Sequence, residues 1–218
     1  MMQVNILTIF PEYFTSPLQT SIVKRAQVKD AINVNLVNIR DFASDKHHTT
    51  DDRPFGGGPG MVMRIEPIDA ALKSLKLRKS RLAKSDSRIV LLSARGQQFT
   101  QQKAREYGQL QQLTIICGHY ADVDQRVAEY LVDEELSVGE YVLTGGEPAA
   151  LVLVDAVTRM LPGVLGNEQS VIGETHDAPG FHSPPQYTRP AVYNGWKVPE
   201  ELLSGDPKKI ELLRKKRT

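Results

Sequence analysis

Arg88-Ile89-Val90-Leu91-Leu92-Ser93-Ala94-Arg95-Gly96 opens almost continuously apolar and then breaks into small residues and a glycine. Such a run reads as a β-strand covered on both faces, because a half-exposed strand would alternate apolar with polar. Residues 4–9, 34–39, 113–117 and 140–144 share the character, which predicts five strands. Between them the spacing turns helical. Pro67 opens a run through Leu75, Thr100 can cap residues 101–112, and Val127, Ala128 and Leu131 form one stripe over 124–131. Pro148 opens residues 149–161, apolar nearly all round, which predicts a helix deep in the core or at an interface. Strands alternating with helices predict an α/β fold with a mainly parallel sheet.

The 218 residues suffice for one generous domain with a small appendage. Hydrophobic residues at 40% and charged residues at 24% exclude wholesale disorder. The 27 Lys and Arg nearly cancel the 26 Asp and Glu, leaving a formal charge of +1. That excludes a histone-like polycation and confines any nucleic-acid contact to local patches. A single cysteine, Cys117, cannot build a disulfide framework or a cysteine-rich zinc site. The first ten residues lack a secretory signal pattern, and no apolar run approaches the ~18 residues of a membrane span. A cytoplasmic protein without membrane contact is expected. Beyond Leu161 glycine and proline take over, from Pro162 and Gly163 to Pro184 and Pro185. Residues 1–162 are therefore expected as the main domain and 163–187 as an interdomain or active-site loop. Residues 188–218 are expected as a short C-terminal unit with at most two small helices, too small to hold a core alone.

Four segments could carry chemistry. Asp51-Asp52-Arg53-Pro54-Phe55-Gly56-Gly57-Gly58-Pro59-Gly60 removes side chains where backbone must approach a partner closely. It is neither a phosphate-binding Walker loop nor a dinucleotide fingerprint, since both its spacing and its continuation differ. Leu92-Ser93-Ala94-Arg95-Gly96, Cys117-Gly118-His119-Tyr120 and Leu143-Thr144-Gly145-Gly146-Glu147-Pro148 each read as a strand end meeting glycine. Singly, each is an ordinary strand-to-helix turn. Together they suit one small-molecule crevice at the carboxyl edge of a parallel sheet. His47-His48 reads as solvated loop rather than metal site, because adjacent side chains point apart and no third ligand follows at helical spacing. Cys117 reads as a packed small hydrophobe. Two basic stretches suggest a polyanionic partner: Lys73, Lys76, Arg78, Lys79, Arg81, Lys84 and Arg88, then Lys208, Lys209, Arg214, Lys215, Lys216 and Arg217.

Taken in order and spacing, the glycine-rich loop through Met61, Cys117-Gly118-His119-Tyr120, Gly139-Glu140-Tyr141-Val142-Leu143-Thr144-Gly145-Gly146-Glu147, Leu161-Pro162-Gly163-Val164-Leu165-Gly166 and Tyr187-Thr188-Arg189-Pro190 resemble the bacterial tRNA (guanine-N1)-methyltransferases. The resemblance covers nearly the whole chain, as far as Ser204-Gly205-Asp206. It implies methylation of the guanine at tRNA position 37 and a SPOUT-class fold, in which a parallel sheet flanked by helices carries a deep C-terminal trefoil knot. It further implies S-adenosylmethionine held in that knot, an obligate homodimer with the active site between subunits, and dependence on Mg2+. Carried over, Leu91, Leu92, Ser93 and Ala94 would form one wall of the cofactor pocket, Gly118 another, and Val138, Gly139, Tyr141, Leu143, Gly145 and Gly146 the third. Pro59 and Gly60 would lie against the target guanine.

Guanine N1 holds a proton at neutral pH, so methylation needs a base near N1 and a cation near O6. Arg159 matches the family's arginine. The loop Ser170-Val171-Ile172-Gly173-Glu174-Thr175-His176 matches its serine-to-acid pattern, which gives Glu174 the role of general base, with Asp177 as the rival. The resemblance implies that this loop orders over the partner subunit's cofactor when tRNA binds. Three departures stand out. Ala121, followed by Asp122, occupies a position the family commonly gives to an acid. The region after Thr175 is about one residue longer than usual. The C-terminal unit is expected to be a truncated version of the family's tRNA-gripping helices. An alternative reading is therefore a SPOUT-fold RNA-binding protein with impaired catalysis; a SPOUT enzyme acting on ribosomal RNA fits the glycine-rich loop less well.

Overall fold

Four of the five expected runs form strands of one parallel sheet in the computed structural model, which describes residues 1–79, 86–167 and 172–216, with side chains through 213. Arg81, Lys84, Ser170, Val171, Arg217 and Thr218, and the side chains of Arg214, Lys215 and Lys216, lie outside the described residues.

The chain divides into two units, Met1–Asn167 and Glu168–Thr218. The first runs β1 (Met2–Thr8), α1 (Thr15–Leu18), α2 (Ser21–Val28), β2 (Ile32–Asn38), β3 (Asp51–Asp52), β4 (Val62–Met63), α3 (Ile65–Ser74), β5 (Ser87–Gln98), α4 (Gln101–Tyr107), β6 (Gln112–Cys117), β7 (Asp122–Val123), β8 (Glu134–Ser137) and α5 (Glu147–Thr158). The main sheet has the order β2-β1-β6-β5-β8 and is parallel throughout, with Ile6 opposite Ile115 and Leu91 opposite Ile116. Side chains along β5 alternate between two buried layers. Val90 and Leu92 join Val23 and Ala26 of α2, Tyr107 of α4 and Leu153, Val154 and Val157 of α5. Ile89 and Leu91 join Ile68, Ala71 and Leu72 of α3 on the opposite face. Helices cover both faces, which is why the run reads as continuously apolar.

The fifth strand is not where the sequence places it. β8 is Glu134–Ser137, while residues 140–144 form an irregular, exposed segment. The acids at the start of β8 mask its strand character in sequence, but the fold neutralises the first of them. Glu134 pairs with Lys103 at 2.8 Å and Arg88 at 3.5 Å, and Asp133 just before it accepts a hydrogen bond from Ile89 N at 2.8 Å. Helix bounds also differ: α5 ends at Thr158 instead of 161, and the stripe expected over 124–131 is helical only over Val127–Leu131. Thr100 does cap α4, accepting from Lys103 N, but α4 stops at Tyr107 because Gln112 already opens β6. α3 begins at Ile65, placing Pro67 in its first turn.

β8 pairs with β5 twice. Leu136 stands opposite Leu92 and again opposite Gln97, so residues 93–96 loop away and return to the same partner. A Cβ at Gly96 would stand 2.4–2.5 Å from main-chain atoms of Glu135 and Leu136, so only glycine permits this return. A small second sheet, β3-β4-β7, lies beyond the carboxyl end of β6 and carries the glycine-rich loop between its first two strands.

The second unit contains the antiparallel strands β9 (Val192–Tyr193) and β10 (Trp196–Lys197), then α6 (Glu200–Leu203) and α7 (Pro207–Lys216). Leu202, Ile210 and Leu213 turn toward Pro184, Pro185 and Tyr187 around a space of about 190 Å³. Among the described residues no helix is long and apolar enough to cross a membrane.

Candidate active site

The three glycine-bearing segments converge. β5, β6 and β8 end side by side, and a cavity of about 310 Å³ opens at their carboxyl ends, within the size range of small-molecule sites. Leu92, Ser93 and Ala94 line it from β5, Gly118 from the end of β6, and Val138, Tyr141, Leu143, Gly145 and Gly146 from the segment between β8 and α5. Nine of the eleven residues expected to hold a cofactor thus face one space. Leu91 and Gly139 do not line it. The period-2 alternation of β5 sends the Leu91 side chain into the opposite core layer, and Gly139 sits behind the Tyr141 ring, its carbonyl accepting from Ser137 Oγ at 2.8 Å.

The cavity floor depends on a close crossing of main chains. Gly146 N donates to Gly118 O at 2.7 Å, and a Cβ on Gly146 would meet Cys117 Cα at 2.8 Å and Gly118 N at 2.9 Å. This contact seats the start of α5 against the end of β6. Glu147, the first residue of α5, is 3% exposed; its Oε1 accepts from Thr8 Oγ1 at 2.7 Å, and its Oε2 lies 3.7 Å from His119 Nδ1. Thr8 Oγ1 in turn accepts from Phe10 N, so the end of β1 braces the same corner. Cys117 is fully buried there. Burial, with a smaller contribution from the Glu147 carboxylate, pushes its thiol well above the ordinary range, which leaves it a neutral packing group.

Several lining residues were not assigned to the pocket from sequence: Arg95, His119, Tyr120, Val142 and Ala149 among them, while Ala121 and Asp122, noted as a departure from the family's pattern, also line it. His119 and Tyr120 stand in a quoted motif from which only Gly118 was chosen. At the rim the exposed Arg95 pairs with the half-buried Asp122 at 2.9 Å. Val142 was read as buried strand but is 85% exposed on the lip of the cavity.

The glycine-rich loop reaches this rim. Ala121 N donates to Met61 O at 2.9 Å, Asp124 N donates to Met63 O at 2.9 Å, and Gly60 lies directly against the Ala121 side chain. Pro59 and Gly60 are exposed, so a ligand seated on them would adjoin the cavity through Ala121. Arg159 lies elsewhere. It caps the far end of α5, twelve residues beyond Glu147, hence about 18 Å along the helix from the cavity floor. Glu174 and Asp177 belong to the second unit. There Asp177 Oδ2 accepts from Gly173 N at 2.7 Å, and Asp177 N donates to Glu174 O at 3.0 Å, so the two acids share one tight turn. Among the described residues no group of three or more His, Cys, Asp or Glu gathers where it could hold a metal ion.

Comparison with known proteins gives a consistent picture. The pattern of the family described as tRNA (Guanine-1)-methyltransferase TrmD matches residues 2–218. A protein of Carboxydothermus hydrogenoformans named tRNA (guanine-N(1)-)-methyltransferase is 49% identical over 217 residues, 100% of this chain and 83% of that protein. Proteins of the same name from Geotalea uraniireducens and Anoxybacillus flavithermus are 48% and 46% identical, over 100% and 99% of this chain and 85% and 86% of theirs. A crevice at the carboxyl edge of a parallel sheet, a glycine-rich loop at its rim and similarity along the entire length agree: this chain belongs to the tRNA (guanine-1)-methyltransferase family.

Proposed function

We propose that this chain methylates N1 of the guanine at position 37 of tRNA, using S-adenosylmethionine as donor and acting as a cytoplasmic homodimer. The observation that carries the reading is the junction at Ala121, where a small-molecule cavity and the exposed Pro59-Gly60 loop share one rim.

The residues of the cavity fit this cofactor. Gly118, Gly145 and Gly146 bring main-chain donors and acceptors to the wall without intervening side chains, as recognition of an adenine edge requires. Leu92, Val138, Tyr141 and Leu143 supply the apolar surface for a purine ring, and Asp122 stands at the rim as a carboxylate for a cationic group. The bound cofactor supplies an electrophilic methyl group on a sulfonium.

The chain's own residues manage the guanine. Glu174 takes the N1 proton, and Arg159 offsets the negative charge that then resides on O6; Asp177 is the rival base. Arg159 lies about 18 Å along α5 from the cavity floor, which supports an active site completed by two subunits, with the Glu174 loop of one covering the cavity of the other. Residues 163–187 are that active-site loop, and residues 188–218 the tRNA-binding unit. The SPOUT-type trefoil knot belongs to the same reading. Its support is the double pairing of β8 with β5 around Leu136 and the close crossing of Gly146 on Cys117. Magnesium dependence is also proposed, but no step is drawn through a metal ion.

The test measures tritium transfer from labelled S-adenosylmethionine to a tRNA transcript bearing guanine at position 37, with tRNA binding followed in parallel. Transfer to this transcript, and none to one carrying adenine there, is expected. Binding without transfer would reject the enzyme in favour of an RNA-binding protein.

A further inference from the structure

The cavity at the sheet edge carries formal charge at one corner alone. Among the described residues, Arg95 and Asp122 are the only Lys, Arg, Asp or Glu side chains that line it, and they pair with each other at 2.9 Å. Both stand on well-held backbone. Arg95 lies in the segment that leaves β5 and returns to it, and its N donates to Ser93 Oγ at 3.1 Å. Asp122 opens β7, where it stands opposite Val62 of β4, and its Oδ1 accepts from Val123 N at 2.8 Å. The guanidinium of Arg95 commits only Nη2, to Asp122 Oδ2 and, at 3.4 Å, to Gln125 Oε1. Its Nε and Nη1 have no partner among the described residues. Solvent reaches the pair, so opening it costs little. A ligand that set a carboxylate on Arg95 and an ammonium on Asp122 would replace one exposed ion pair by two. A ligand with a single charge would instead leave Arg95 or Asp122 without its partner. A cavity of glycine and apolar walls with one such corner therefore matches a molecule with a neutral body and a zwitterionic α-amino acid at one end.

We propose that Arg95 and Asp122 form an α-amino-acid subsite: their mutual pair opens on binding, Arg95 takes the ligand's carboxylate and Asp122 its ammonium. The two residues thereby set which adenosine thioethers and sulfonium compounds the cavity accepts, and they take no part in methyl transfer. The inference deepens the cofactor reading above and rests on it. Asp122 directly follows Ala121, against which Gly60 lies, so the charged corner is also the one that adjoins the glycine-rich loop.

Calorimetric titration of the full chain compares three ligands: S-adenosylhomocysteine, its decarboxylated analogue, which keeps only the ammonium, and 5′-methylthioadenosine, which has neither charge. The wild type should bind the second and third at least about tenfold more weakly than the first. Arg95→Ala should raise the Kd for S-adenosylhomocysteine about tenfold, leave 5′-methylthioadenosine within about twofold of wild type, and not weaken the decarboxylated analogue. Asp122→Asn should also weaken S-adenosylhomocysteine about tenfold while sparing 5′-methylthioadenosine. If Arg95→Ala does not fold, Arg95→Gln, which keeps reach and loses only the charge, takes its place. A wild type that binds 5′-methylthioadenosine as tightly as S-adenosylhomocysteine would overturn the subsite and leave the cofactor reading intact. So would variants that weaken all three ligands alike, since the pair would then only brace the cavity wall. A wild-type chain that melts cooperatively yet binds none of the three would overturn both.

Discussion

Replacing Gly146 with alanine should loosen the cavity by an amount the geometry bounds. The added methyl would stand 2.8 Å from Cys117 Cα, 2.9 Å from Gly118 N and 3.2 Å from Cys117 C, all of them main-chain atoms that no side-chain rotation can move aside. Carbon contacts become comfortable near 3.5 Å, so the start of α5 must retreat from the end of β6 by roughly 0.5–0.7 Å. The 2.7 Å hydrogen bond from Gly146 N to Gly118 O then stretches to the limit of useful length. Overpacking of this kind costs about 1–3 kcal/mol. For a chain of this size that is a fall in Tm of about 2–12 °C. Both glycines line the cavity, so the Kd for S-adenosylhomocysteine should rise about tenfold, a loss of about 1.4 kcal/mol. Calorimetric titration and thermal melts measure the two effects separately. Gly166→Ala is the control: an added Cβ there meets no atom within 4 Å and φ is not positive, so both quantities should stay close to wild type. A Gly146→Ala protein with wild-type Tm and wild-type Kd would refute the crossing as the foundation of the site.

Thr8→Val removes the donor to the buried Glu147 carboxylate and the acceptor for Phe10 N, and should cost about 2–3 kcal/mol in urea denaturation. Glu174→Gln and Arg159→Ala should each lower methyl transfer about 100-fold or more while cofactor Kd stays nearly constant; wild-type turnover by Glu174→Gln would move the base to Asp177. With cofactor held well below the wild-type Kd, Gly146→Ala alone should work at about a tenth of the wild-type rate. Mixing Gly146→Ala with Glu174→Gln subunits should then recover about a quarter of wild-type activity, since half of the random dimers would carry one intact composite site. No recovery would mean that each subunit works with its own loop. Because burial and Glu147 raise the Cys117 pKa, the thiol stays protonated as pH rises through the usual cysteine range. Alkylation by iodoacetamide at pH 8.5 should therefore be about 100-fold slower in the native protein than in urea, and comparable rates would show that the strand end is open.

Long apolar runs were readable because burial on both faces leaves no polar residue to interrupt them, as along β5 and β6. β8 escaped notice for the converse reason. Glu134 and Glu135 look like solvent-facing residues until Lys103 and Arg88, brought in by other elements, neutralise the first of them. The apolar Tyr141-Val142-Leu143 run misled in the other direction, since its side chains line a cavity lip instead of a core. Glycine at three strand ends was enough to point to one crevice. It could not reveal that the two-residue strands β4 and β7 pair and so tie Gly60 to Ala121, because partners that short leave no periodic trace. The place of Arg159 was legible, because the helix read as opening at Pro148 already puts it about three turns from the glycine pair at that helix's start.

Identification of the modified nucleoside settles the reaction itself. The protein is incubated with S-adenosylmethionine and a tRNA transcript bearing guanine at position 37, and the RNA is digested and sequenced by mass spectrometry. One methyl group per transcript, on N1 of that guanine, is expected. A methyl on another atom or another nucleotide, or unmodified RNA despite saturating tRNA and cofactor, would contradict the assignment of this crevice and loop to guanine methylation.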